Sequence, residues 1–142
     1  MSNQTTIPTQ QVPFKGSVEA VERYTVDPLT MLVETPGRGE ATQLWEGTVT
    51  WEITVPLENG VGVGSAHFSA ANGDSLDTTV LGQGDPTETP DVSRVVEQHT
   101  ITGGTGVFVE ATGSFTLDRL VNTATGVTSG SFNGTIALQK AP

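Results

Sequence analysis

Hydrophobic and polar residues alternate along most of this chain with a period of two. The alternation is strictest between residues 45 and 55, where Glu and Thr separate Trp45, Gly47, Val49, Trp51, Ile53 and Val55. Successive side chains of a β-strand point to opposite faces, so this pattern predicts a strand with one buried and one solvated face. Similar alternation elsewhere in the chain indicates further strands.

Turn-forming residues divide the alternating pattern into eight predicted strands. Glycine, proline, asparagine and aspartate mark the breaks, as they do in tight turns. The segment 82–91 (GQGDPTETPD) is expected to be a mobile acidic loop. The predicted strands cover residues 14–26, 30–35, 45–55, 61–70, 76–81, 92–102, 111–121 and 128–138.

Eight strands joined mostly by short turns predict an all-β fold, a closed eight-stranded antiparallel β-barrel. Closure removes the exposed strand edges that would otherwise recruit other chains. A two-sheet β-sandwich is the alternative. Residues 1–12 are rich in Gln, Thr and Pro, and we expect a disordered or loosely docked N-terminal arm there. Residues 13–142 then form a single barrel domain.

The charge and composition narrow the range of partners. Sixteen acidic residues against six basic ones give a formal net charge of −10, which disfavours nucleic acids and anionic membranes. The chain has no cysteine and no evident metal-ligand spacing, so we expect no metal and no cofactor. The N-terminus lacks the pattern of a secretion signal, which predicts a cytoplasmic protein, or a secreted one if a signal peptide had been removed.

A glycine-rich segment carries a resemblance to a known group of barrels. The stretch 100–108 (TITGGTGVF), followed by 111–113 (ATG), resembles the glycine-rich turn of allene oxide cyclase barrels and, more loosely, of dirigent proteins. The resemblance is best over residues 95–136, and residues 68–76 resemble uncharacterised bacterial members of that wider group. It implies an eight-stranded barrel. The glycines themselves allow a sharp reversal of the chain, which predicts that Val107 and Phe108 tuck back under the barrel. The plant cyclases carry an acidic residue on the first strand, but the residues around Glu22 do not match that motif.

Alternation places several aromatic and ionisable side chains inside the predicted barrel. A buried carboxylate and guanidinium are costly unless paired, so Glu97 and Arg119 either form an ion pair that fixes strand register or face a bound ligand. In the second case His99 would titrate near neutral pH as an acid or base. The candidate cavity residues are Glu22, Tyr24, Trp45, Trp51, Glu97, His99, Phe115 and Arg119.

Two classes of function are compatible with these features. The leading hypothesis is a barrel that binds a small apolar ligand, with cofactor-free isomerisation or cyclisation, guided by cavity shape, as the reaction it could support. The alternative is a non-catalytic structural or protein-interaction module, which predicts a filled barrel and an exposed apolar patch. A homo-oligomer is compatible with either hypothesis.

Overall fold

A computed structural model describes residues 9–27, 29–41 and 44–139. A short 3-10 helix, Gly106–Phe108, follows the seventh strand, and none of the helical segments described is long and apolar enough to cross a membrane. The strands are β1 Thr9–Val21, β2 Arg23–Asp27, β3 Thr30–Ala41, β4 Trp45–Pro56, β5 Val61–Ala70, β6 Ser75–Pro86, β7 Val92–Gly104, β8 Thr112–Asn122 and β9 Val127–Gln139.

The sheet closes on itself as an antiparallel barrel. Each strand from β2 to β9 pairs with its neighbour in sequence, and β9 pairs along its whole length with β1. The first part of β3 pairs with β2 and the last part pairs with β1. Because β1 and β2 pair with successive parts of the same edge of β3, they act as one interrupted strand, and the barrel has eight strand positions. The predicted closed barrel is confirmed and the sandwich alternative is wrong.

The strand predicted over residues 14–26 is interrupted at Glu22. This residue belongs to neither β1 nor β2, and its backbone N–H donates to the carbonyl of Gly126 over 2.8 Å. The interruption faces Thr35, next to Pro36, where β3 changes partner from β2 to β1. Proline is tolerated at such irregularities because it lacks an N–H for the regular ladder. The predicted end of β3 at residue 35 is therefore wrong, and the strand continues to Ala41.

Other predicted boundaries also shift outward. Strand β6 runs to Pro86 and β7 begins at Val92, so only residues 87–91 of the predicted acidic loop connect two strands. Strand β1 begins at Thr9, which pairs with Gln139. Residues 9–12 of the predicted arm thus lie in the sheet, while residues 1–8 lie outside the described residues.

One end of the barrel interior is packed with aromatic side chains. The rings of Phe14, Phe115 and Phe132 lie 5.1 Å apart in each pairing, and Trp45 meets Phe68 edge-on at 5.2 Å. These spacings are typical of packed aromatic clusters. The candidate residues Trp45 and Phe115 therefore fill the interior at this end.

The glycine-rich turn closes the packed end of the barrel, and the prediction for its two apolar residues is correct for one of them. Phe108 is fully buried, whereas Val107 is 47% exposed, so only the phenylalanine tucks under the barrel. Gly106 adopts a φ of 61°, in the left-handed region that favours glycine. The neighbouring Val107 N–H donates to the Asp74 carboxylate over 3.2 Å, which ties the turn to the β5–β6 connection.

Candidate functional site

The opposite end of the barrel contains an open cavity of about 500 Å³. It opens where the β2–β3, β4–β5, β6–β7 and β8–β9 connections lie, and its floor lies near the middle of the barrel. The apolar side chains of its wall come from β2, β3, β4, β7 and β8 and from the β4–β5 connection. They are Val26, Met31, Val33, Ile53, Val55, Leu57, Val95 and Val121.

Glycines on two strands form part of the cavity wall. Gly62 of β5 and Gly82 and Gly84 of β6 line the cavity. A Cβ atom at Gly82 would lie 2.7 Å from Cγ of Glu97, which is closer than real contacts allow. Glycine at this position therefore leaves room for the Glu97 side chain at the floor.

Three buried charged residues, Glu22, Glu97 and Arg119, form the floor, and we call them the ion cluster. Each is at most 4% exposed. Arg119 Nη2 lies 2.9 Å from Glu97 Oε2 and its Nε donates to Glu97 Oε1 over 3.2 Å. Arg119 Nη1 lies 2.9 Å from Glu22 Oε1. One guanidinium thus holds the carboxylate of Glu97 on β7 and that of Glu22, which lies between β1 and β2.

Neutral donors complete the coordination of Glu22. The Trp51 indole N–H donates to Glu22 Oε2 over 2.8 Å, and the Tyr24 hydroxyl donates to Oε1 over 3.1 Å. The guanidinium carbon of Arg119 lies 4.9 Å from the centre of the Trp51 ring, within cation–π range. These contacts hold Glu22 at one position on the floor.

Burial and pairing act against each other on the ionisation of these groups. Burial alone would raise the pKa of Glu97, but the His99 contact and the charge and hydrogen bonds of Arg119 outweigh it, so the pKa of Glu97 is lowered. Burial would lower the pKa of Arg119, but Glu97 and Glu22 raise it. Burial, with the adjacent Glu22, raises the pKa of Tyr24. Glu97 and Arg119 therefore form a charged pair, and the Tyr24 side chain beside the ion cluster is a neutral phenol.

His99 supports the ion cluster from the packed side. Its Nδ1 lies 2.9 Å from the Thr78 hydroxyl, and its ring stacks on Phe115 at 4.7 Å. Its Nε2 finds no hydrogen-bond partner in the described part of the chain and lies 3.5 Å from Glu97 Oε1. His99 does not line the cavity, so it contacts the site through Glu97.

The candidate residues thus divide into two groups. Glu22, Tyr24, Glu97 and Arg119 line the cavity, whereas Trp45, Trp51, His99 and Phe115 do not. The predicted pairing of Glu97 with Arg119 is present, but sequence reasoning did not join Glu22 to it. It also missed Thr128, whose hydroxyl accepts from Arg119 Nη1 over 3.2 Å. The inward position of Glu22 on the first strand was the available signal.

The comparisons with known proteins bear on the fold. No protein-family model matches the chain, and no curated protein matches it. A solved structure, that of the pterocarpan synthase dirigent protein GePTS1, superimposes with a TM-score of 0.61 over 99% of this chain and 98% of that one, at 14% sequence identity. This chain therefore has the barrel fold of a dirigent protein, in agreement with the looser of the two resemblances. The resemblance to allene oxide cyclase stays a prediction.

Proposed function

We propose that this barrel binds a small, mostly apolar molecule in the cavity above the ion cluster. The observation that carries the proposal is the cavity of about 500 Å³, with an apolar wall and a charged floor. Ligand pockets are commonly of about 300–1,000 Å³, lined by apolar side chains with a few polar groups that fix orientation. The apolar body of the ligand would lie against the wall and its polar head against the floor.

The rigidity of the floor supports a binding role. Charges buried in a protein interior cost free energy unless they are paired, and a hydrophobic filling is often as stable. Here the charges lie at the base of an open cavity and are held by several hydrogen bonds each. Polar groups held in this way lose little freedom when a ligand arrives, which favours binding.

The cavity also suits a reaction that needs no cofactor. A closed wall can hold a flexible reactive molecule in one conformation, and such positioning supplies a large part of the barrier reduction in cyclisations. The name of the structural neighbour describes a synthase. We propose that any reaction in this barrel is an isomerisation or cyclisation guided by cavity shape, with binding as its first requirement.

A substitution that obstructs the cavity tests the binding proposal. A Cβ atom at Gly84 would lie 3.5 Å from Val95 Cγ2, an ordinary contact, and Gly84 does not have a positive φ. We expect Gly84→Phe to preserve the fold and to weaken binding of 4-phenylbutan-1-ol at least tenfold, because the new ring occupies the cavity. Isothermal titration calorimetry measures this change.

The matched control is Leu81→Phe on the same strand. Leu81 is 55% exposed and lies on the outer face, so an added ring there leaves the cavity open. We expect this variant to bind the alcohol like the unmodified protein. Equal binding by the Gly84 and Leu81 variants would contradict the proposal, as would absence of binding by the unmodified protein.

An exposed apolar row favours a second candidate function, a protein-interaction module. Val63 on β5 is directly paired with Leu81 on β6. Leu81 lies diagonally across from Val96 on β7. Val96 in turn lies diagonally across from Leu120 on β8. Three of these side chains are more than half exposed and Val96 is 36% exposed. Contiguous apolar surface of this kind is typical of contacts with another protein chain. This function leaves the cavity without a role.

A further inference from the structure

We propose that the cavity selects apolar molecules whose head is a cationic amine or, second best, a neutral hydrogen-bond donor, and that it rejects carboxylates. This inference rests on the proposed function and names the chemical class of its ligand. Two separate features carry it. One is the excess of acceptors on the floor, and the other is the charge of the rim.

The side chains that line the floor include two acidic groups and one basic group. Glu22 and Glu97 face a single guanidinium, that of Arg119. All three side chains are at least 96% buried, so water screens charges on the floor weakly. The imidazole of His99 lies behind Glu97, away from the cavity. An incoming cation therefore gains attraction at the floor, while an incoming carboxylate meets repulsion and loses its own hydration.

The hydrogen-bond donors of the floor are nearly all in use. Three N–H groups of Arg119 donate hydrogen bonds, two to Glu97 and one to Thr128, and its Nη1 also lies 2.9 Å from Glu22 Oε1. The Trp51 N–H and the Tyr24 O–H both donate to Glu22. A carboxylate head would find few free donors.

Acceptor sites, in contrast, remain open on both carboxylates. Among the described residues, Glu22 Oε2 accepts only from Trp51 and Glu97 Oε2 only from Arg119, although each oxygen can accept two hydrogen bonds. Both residues line the cavity. A ligand head that donates is thus matched to the free positions of the floor.

The rim of the cavity is acidic as well. The connections and strand ends around the opening carry Asp27, Glu58, Asp85, Glu88 and Asp91. Of the basic residues on nearby strands, Arg23 is exposed on β2, and Arg94 forms an ion pair with Asp118 on the outer face. A narrow opening lined by one sign of charge raises the local concentration of the opposite sign. Cations are therefore favoured both on approach and at the floor.

Three probes that differ only in the head group test the selectivity. They are 4-phenylbutan-1-amine, 4-phenylbutan-1-ol and 4-phenylbutanoate, titrated into the full chain by calorimetry at pH 7, where the amine is cationic and the acid anionic. We expect the amine to bind at least tenfold more tightly than the alcohol, and the carboxylate to bind more weakly than the alcohol. The advantage of the amine should shrink as salt is added.

Two variants separate the floor from the rim. Glu22→Gln removes one of the two acidic groups of the floor, so the ratio of amine to alcohol affinity should fall at least tenfold. Because Glu22 is buried, a second variant avoids the risk of unfolding: Asp85→Asn, Glu88→Gln and Asp91→Asn combined, all at exposed positions. This triple variant should bind the amine more weakly than the unmodified protein does, and its amine affinity should depend less on salt. Its affinity for the alcohol should be unchanged.

The outcomes distinguish the two proposals. If the alcohol binds and the carboxylate binds as tightly as the amine or more tightly, the proposed selectivity is wrong and the proposed function stands. Absence of binding by all three probes would overturn both. Amine preference that survives in both variants would also overturn the inference, because the charges named here would then not cause it.

Discussion

Replacing Arg119 by alanine is expected to lower the free energy of unfolding by about 3–5 kcal/mol, the usual cost of breaking a buried ion pair. The change leaves Glu22 and Glu97 buried without their shared cation. Arg119 is 3% exposed, so its guanidinium is the buried charged group that the two acidic side chains share. Urea unfolding followed by circular dichroism measures the loss, which is a large share of the stability of a domain of this size.

Arg94→Ala is the matched control. Arg94 lies on β7 and contacts the Asp118 carboxylate through two nitrogen atoms, but both side chains are largely exposed. Exposed ion pairs contribute little to stability, so the unfolding midpoint of this variant should stay close to that of the unmodified protein. Equal midpoints for the Arg119 and Arg94 variants would contradict the buried ion cluster.

Replacing Phe108 by alanine should cost about 3–5 kcal/mol, the range for removing a large buried aromatic side chain. Phe108 is fully buried and closes the packed end of the barrel. A Cβ atom added at Gly104 would lie 2.7 Å from the Cβ atom of Phe108, so the backbone of Gly104 already approaches Phe108 closely. The cavity left by alanine therefore has no obvious side chain to fill it. The same urea titration measures this effect.

The adjacent Val107→Ala provides its control. Val107 belongs to the same short helix but is 47% exposed, so its truncation removes little buried surface. We expect the valine variant to unfold within about 1 kcal/mol of the unmodified protein. A small effect at Phe108, comparable with that at Val107, would show that this end of the barrel is not closed by the phenylalanine.

Much of the barrel could be predicted from the sequence because alternation survives in nearly every strand. The inward set from Trp45 to Ile53 is buried apart from Gly47, and the outward threonines and glutamates are exposed. The predicted strand boundaries were wrong where hydrogen bonding to neighbouring strands extends a strand through residues that usually form turns. Pro36-Gly37 reads as a strand end, yet β3 passes through it because both β1 and β4 continue alongside.

The ion cluster could be predicted only in part. Period two places Glu97 and Arg119 inside, and their strands are neighbours in sequence and in space. Glu22 joins them only because barrel closure pairs β1 with β9, which itself pairs with β8. That long-range closure, which brings residue 22 beside residue 119, leaves no local pattern in the sequence.

Whether the interior is filled or open was also beyond sequence reasoning. The cavity depends on the absence of side chains at Gly62, Gly82 and Gly84, while aromatic residues fill the other end. Period two indicates which residues point inward but not whether their volumes fill the space between them. The sequence pattern alone is therefore compatible with both a filled and a hollow barrel.

A crystal structure of the protein grown with 4-phenylbutan-1-ol tests the central claim most directly. The account predicts electron density for the phenyl ring against the apolar wall, with the hydroxyl within hydrogen-bond distance of the Glu22 or Glu97 carboxylate. A barrel whose mouth is filled by its own side chains, or an alcohol bound only on the outer surface, would contradict the account.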